Sequence, residues 1–270
     1  MSRPHPNPRL RWTERDDLVT GFGSQQWCFD FGTAQLLCGT ERSRTYALID
    51  RWCNGFGVLR SVSIFPDNAA QEVTVIWPWP AVVAEQLSHP VSGWNPTRTN
   101  IVHKLAVARA RAALCGLDPA LWVPERKLLR DAAIAAGQRP SGLMIVDRAG
   151  LLPNPPAPLA RGHVHDGRYL YRGTWLSVEV ELTLKRPSRK RLVHTVFNAY
   201  QKARAVGDGL LYLYADDRIG NALERAVTEL ITTGRIPAHP DIRLRSLQRV
   251  LDARSIDLPA ITTTREERAS

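Results

Sequence analysis

The chain has 270 residues, 44% of them apolar, and a formal net charge of +10. That length accommodates two domains with cores of their own, and the apolar share excludes disorder throughout. The excess of Lys and Arg points to a polyanionic partner, nucleic acid rather than membrane. No apolar run approaches the ~18 residues of a spanning helix, and residues 1–11 lack a signal core, so the chain reads as cytoplasmic.

Residues 1–11, rich in Pro and Arg, are expected to be a disordered tail. From 12 to 87 the pattern predicts three helices and then a hairpin. Thr13 is a candidate N-cap ahead of Asp16 and Asp17, acids placed where the helix dipole favours them. A second helix is expected at 33–38. The third carries Thr45, Leu48, Ile49, Trp52 and Cys53 at helical spacing, with Ser43 as its expected cap and Gly55 and Gly57 beyond its end. The runs 58–64 and 72–77 flank Pro66-Asp67-Asn68 and predict a β-hairpin. Three helices followed by a hairpin is the order of a winged helix-turn-helix.

Residues 88–100, with two prolines and a glycine, are read as a linker, and 101–270 as a second domain. Helices are expected at 101–114 and 127–136, and a proline-rich loop at 151–161. Then come strands at 168–171 and 174–185, a helix at 188–206, a strand at 210–214, a helix at 219–233 and a short strand at 242–244. Strands alternating with helices indicate an α/β domain with a mixed sheet, making the chain α+β overall. The cysteines Cys28, Cys38, Cys53 and Cys115 form no C-x-x-C pair, so reduced thiols are expected and a zinc site is not. Trp77, Trp79 and Trp94 flank the linker and are read as packing the two domains together, with base stacking as the lesser option.

The strand at 174–185 is the most informative segment. Alternate side chains point to opposite faces. One face is Leu176, Val178, Val180, Leu182 and Leu184; the other is Trp175, Ser177, Glu179, Glu181, Thr183 and Lys185. Glu179 and Glu181 are then about 7 Å apart on one side. Two carboxylates that close repel unless a cation or proton lies between them, and Mg²⁺ (or Mn²⁺ in its place) is the expected hard cation. A solvated polar face is the plainer alternative. Asp166, just before the preceding strand, is placed by the turn at Gly173 to return beside the pair. Arg186, Arg189, Lys190 and Arg191 follow as a basic run suited to a phosphate backbone.

A strand-borne acid, then an acidic strand with a lysine, then a helix resembles the PD-(D/E)xK nuclease superfamily. More narrowly, His165-Asp166-Gly167 and Val178-Glu179-Val180-Glu181-Leu182-Thr183-Leu184-Lys185 resemble the replication-relaxation family of plasmids and conjugative elements. The likeness extends to His103-Lys104-Leu105-Ala106-Val107, to Trp122-Val123-Pro124-Glu125-Arg126 and to the winged helix, covering about 13–230. It implies a restriction-endonuclease-like domain in which Asp166 and Glu179 are the first two metal-binding acids and Glu125 an additional upstream acid. Glu181 stands where the superfamily has its lysine, and Lys185 or Lys202 would take that role. His165 replaces the proline expected before Asp166.

The function implied is a Mg²⁺-dependent DNA endonuclease or nickase serving replication or conjugative transfer of a mobile element. One rival is a DNA-binding accessory or regulator that keeps the fold as a scaffold; another is an adaptor that recruits a relaxase or replication initiator. Double-stranded DNA is the expected partner, and a homodimer on a palindromic site is compatible with the reading. Arg42, Arg44, Arg51, Asn54 and Arg60 are the expected winged-helix contacts, read against ordinary solvated surface. His163 and His165 form an H-x-H pair, read as structural or solvent-facing before metal-binding.

Overall fold

The structure is a computed structural model that describes residues 11–67, 71–89, 91, 93–135, 137, 164–184 and 189–253. The chain divides into two compact units, one formed by Met1–Pro119 with Pro124–Gly162, the other by Ala120–Val123 with His163–Ser270. The sequence placed the change of domain at 88–100. The structure instead keeps residues 101–119 with the N-terminal part.

In the first unit, α1 (Glu14–Gln26) begins on a capping box: Asp16 N–H donates to the Thr13 hydroxyl, and the Asp16 carboxylate accepts from Thr13 N–H at 2.9 Å. A two-residue strand, β1 (Phe29–Asp30), leads into α2 (Phe31–Cys38). Asp30 caps α2 by accepting from Thr33 N–H at 2.8 Å. Gly39, at φ 58°, closes it in the left-handed conformation that glycine adopts without strain. After a three-residue turn, α3 (Arg42–Asp50) runs on into one wide π-type turn, Arg51–Gly55. Glu41, not the expected Ser43, is its N-cap, and no side chain bonds there.

The hairpin is present as β2 (Leu59–Ile64) and β3 (Val73–Pro78), with β1 on the far side of β3 in the order β1-β3-β2. A short helix, α4 (Pro80–Leu87), starts on a proline, whose missing N–H is harmless in the first turn. The core holds Val19, Phe22, Phe29, Leu48, Ile49, Trp52, Leu59 and Ile76. Ala108 and Ala112 of α5 (Ile101–Cys115) join that cluster, while its Ile101 and Leu105 pack with Cys28, Val75 and Trp77. An ion pair between Arg109 and Asp30 ties α5 to the same unit. These contacts explain the shifted boundary: the apolar stripe of α5 is buried in the N-terminal core. The helix α6 (Glu125–Ala135) completes the described part of the unit.

The second unit is built on a five-stranded sheet in the order β4-β5-β6-β7-β8, namely Trp122–Pro124, Gly167–Tyr171, Thr174–Glu181, Gly209–Tyr214 and Ile242–Ser246. β5 and β6 form an antiparallel hairpin whose two turn residues, Arg172 and Gly173, both have positive φ, as a type I′ turn requires. β6, β7 and β8 are parallel, joined through α7 (Arg189–Ala205) and α8 (Asp217–Thr232). Both helices bury their apolar sides on the face that carries Leu210, Tyr212 and Ile242. A final helix, α9 (Leu247–Asp252), follows β8. The protein is therefore mixed α/β. Among the described residues no helix is long and apolar enough to cross a membrane.

Candidate functional site

Strand register assembles the site. Gly167 lies opposite Val178, so continuing the antiparallel pairing by one residue sets Asp166 across from Glu179. On the other side of β6, Glu179 lies opposite Tyr212 and Glu181 opposite Tyr214. Side chains directly across a sheet share a face. One face thus carries a row of Asp166, Glu179 and Tyr212, with Glu181 and Tyr214 in the row above.

The Asp166 carboxylate accepts from Val180 N–H at 2.8 Å, and its own N–H donates to the Val178 carbonyl at 3.0 Å. Glu179 Oε1 lies 2.5 Å from His165 Nδ1. Tyr212 is buried, and its phenol is pushed well above its ordinary range, by burial first and then by the charges of Glu179, Glu181 and Asp166. All three acids therefore act on one buried hydroxyl. Side chain by side chain they are not yet gathered: among the described residues no three His, Cys, Asp or Glu side chains form a group that could hold a metal ion.

One row further down the same face, Arg168 pairs in register with Ser177. The Arg168 guanidinium holds the buried Asp208 carboxylate through two bonds of 2.6 Å, and the Ser177 hydroxyl donates to Asp208 at 2.9 Å. This is a fixed ion pair one row from the acids, its guanidinium oriented by a fork that lysine lacks.

The other expected residues separate into three groups. Lys185, Arg186 and His163 lie outside the described residues, as does the side chain of Arg189. Lys190 and Arg191 are exposed at the start of α7, and Lys202 is exposed in its last turn. Glu125 belongs to the first unit, where its carboxylate accepts from Trp27 Nε1 at 2.9 Å and pairs with Lys104.

In the first unit, Arg42 and Arg44 are exposed on α3, with Arg42 resting over Phe31 and Tyr46. Asn54 is exposed and donates to Asp50 at 2.6 Å. Arg51 is a correction. Its guanidinium bonds the fully buried Asp16 at 2.5 Å and lies 5.0 Å from the Phe56 ring centre, so it braces α1 and does not stand free on the surface. Arg60 is likewise held between Trp77 and Trp79, at 4.7 and 4.3 Å from their ring centres, and burial lowers its pKa. The two tryptophans sandwich an arginine of their own unit, and Trp94 packs on Trp27 there.

The structure adds three residues to this neighbourhood. His165, expected to be structural or solvent-facing together with His163, is buried against Glu179. Tyr212 faces Glu179 only through the pairing of β6 with β7, and Arg168 carries no motif. Compared with known protein families, curated proteins and solved structures, the chain matches none.

Proposed function

We propose that the protein is a divalent-metal-dependent DNA endonuclease or nickase acting in the replication or transfer of a mobile element. The observation that carries this reading is the strand register that sets Asp166 across from Glu179 on one face of the sheet, with Glu181 in the next row. Three carboxylates repel one another in a partly buried site, and an oxygen-only donor set of this kind suits Mg²⁺ or Mn²⁺. The donor chemistry therefore fits the metal, with Asp166, Glu179 and Glu181 as the residues that would hold it. When bound, such an ion polarises a phosphodiester and lowers the pKa of water beside it.

The chain's own residues supply the rest. Asp166 is oriented by the Val180 N–H and Glu179 by His165, so neither carboxylate swings freely. Arg168, held by the Asp208 carboxylate in a two-bond ion pair, lies one row below the acids on the same face, while position 181, where the resembled pattern has a lysine, is Glu. Lys190 and Arg191, exposed where β6 hands over to α7, are placed to meet a phosphate backbone. In the first unit, the order of α1, α2 and α3 followed by the β2–β3 hairpin supports a winged helix-turn-helix, with Arg42, Arg44 and Asn54 as its exposed polar contacts. The antiparallel β5–β6 hairpin, the crossover α7 and the parallel β7 support the nuclease-like reading of the second unit.

A second reading rests on a specific observation. His165 already gives the Glu179 carboxylate a partner within the fold, so the site can hold together without a metal ion. The protein would then be a DNA-binding accessory, or an adaptor for a relaxase or replication initiator. Supercoiled plasmid incubated with Mg²⁺ or Mn²⁺ separates the two. Cleavage by the wild type that Glu179→Ala abolishes supports the enzyme, and intact plasmid with either metal refutes it.

A further inference from the structure

The hairpin strand β2 lies at an end of its sheet, because the order is β1-β3-β2. Its pairing with β3 fixes which backbone groups are used inside the sheet. Trp79 N–H donates to the Val58 carbonyl at 3.2 Å, and Leu59 faces Pro78, which has no N–H to give. Hydrogen-bonded and non-hydrogen-bonded pairs alternate along an antiparallel ladder. Arg60, Val62 and Ile64 therefore bond to β3, while Leu59, Ser61 and Ser63 turn their N–H and C=O groups outward. Among the described residues, the outward groups of Ser61 and Ser63 have no hydrogen-bond partner, and Ser61, Val62 and Ser63 are exposed.

Natural sheet edges are usually blunted by charge, proline or a bulge. β2 has none of the three. Its register with β3 is unbroken, it contains no proline, and its single charged residue, Arg60, is drawn between Trp77 and Trp79. Val62 is 39% exposed and lies opposite the buried Val75. The segment Ser61-Val62-Ser63 reads the same in both directions, so a two-fold axis at Val62 sets like residues against each other. Each chain carries a net charge of +10, and a neutral strip is where two copies meet at least electrostatic cost.

We propose that β2 pairs antiparallel with β2 of a second copy about a two-fold axis at Val62, joining the two hairpins into one continuous sheet. Ser61 then exchanges N–H···O bonds with Ser63 of the partner subunit, and Val62 meets Val62 of the partner subunit as a non-hydrogen-bonded pair. Val75 and Val62 extend with their symmetry mates into one row of β-branched side chains across the joint. The contact is small, so its Kd is expected on the order of micromolar. The inference does not depend on the nuclease reading.

Sedimentation velocity of the full-length protein at about 100 µM, above the Kd expected of so small an interface, tests it. The wild type should run as a dimer. Ser63→Pro removes an outward N–H that β3 does not use, so it should weaken the dimer about tenfold or more and leave Tm near that of wild type. Val62→Cys should cross-link into a covalent dimer under a mild oxidant, because Cα atoms about 4.5 Å apart across the axis suit a disulfide. Wild type, with its native thiols, should not cross-link. A wild type that stays monomeric overturns the proposal and leaves the edge to a strand of another protein. A dimer that is equally tight in Ser63→Pro, or that Val62→Cys does not cross-link, overturns it as well. If Ser63→Pro fails to fold, the cross-link decides.

Discussion

Asp16 lies under three separate constraints, and its replacement by alanine should be among the most damaging single changes in the first unit. Its carboxylate is fully buried and accepts from Thr13, from Trp52 Nε1 at 2.8 Å and from Arg51 at 2.5 Å. Asp16→Ala removes the side chain that closes the α1 capping box, a loss of about 1 kcal/mol. It also leaves the indole N–H of Trp52, itself at 0% exposure, without an acceptor, at a further ~1–3 kcal/mol. Arg51 is part-exposed and regains water, so its share is small. The sum is about 3 kcal/mol, or a fall in Tm of roughly 6–12 °C for a unit of this size. Urea unfolding followed by tryptophan fluorescence measures it, with Asp16→Asn as the isosteric control. A change within about 0.5 kcal/mol of wild type, ordinary for a surface site, would refute the reasoning.

The same carboxylate makes a pH prediction. Burial alone would raise its pKa, but the bonds from Thr13 and Trp52 and the Arg51 charge outweigh burial and hold it below 3.8. A depressed folded-state pKa contributes stability that is fully present above the unfolded value. That stability is lost as pH falls through the folded value. Below about pH 3.8, wild type should therefore lose stability faster than Asp16→Asn.

Gly167→Ala should destabilise the second unit by about 1–3 kcal/mol, because its Cβ would fall 2.3 Å from the buried ring of Trp122; thermal unfolding of the variant checks this. In an alkaline titration followed by phenolate absorbance, Tyr212 should stay protonated after the accessible tyrosines have ionised, releasing its proton only on unfolding. Cys28, buried and pushed up to about 12, should resist a thiol reagent at neutral pH until the protein is denatured. Arg42→Ala together with Arg44→Ala should weaken DNA binding and flatten its salt dependence, whereas Arg51→Ala should lower stability first; a filter-binding titration beside a melting curve separates the two.

Much of the local structure was legible because it depends on local chemistry. Thr13 and Asp16 announced a helix start, and the hairpin was bracketed by Pro66 and Asp67. The alternation through 174–181 fixed which β6 residues share a face. The register that sets Asp166 against Glu179 was foreshadowed by Gly173, since a tight turn there leaves few pairings. The strand stops at Glu181, however, four residues short of the expected end. Alternation continues in the sequence through 182–184, but these described residues lie outside any strand.

What stayed hidden depends on contacts between distant segments. Ile101, Leu105, Ala108 and Ala112 declared a buried helix face but not which core receives it. Glu125 carries no sign in the sequence of its partners in the structure, Trp27, 98 residues away, and Lys104. Arg51 was read as exposed because it lies off the apolar stripe of α3, where Asp16 happens to wait. His165 and Tyr212 give no signal until strand pairing brings Glu179 beside them.

Isothermal titration of the full-length protein with Mn²⁺, beside Glu179→Gln, asks whether the acidic row takes a divalent cation at all. Saturable uptake that the glutamine variant loses is the predicted result. Wild-type protein that gives no binding heat, with Glu179 still bonded to His165, would leave the row a structural feature and the nuclease proposal without its metal.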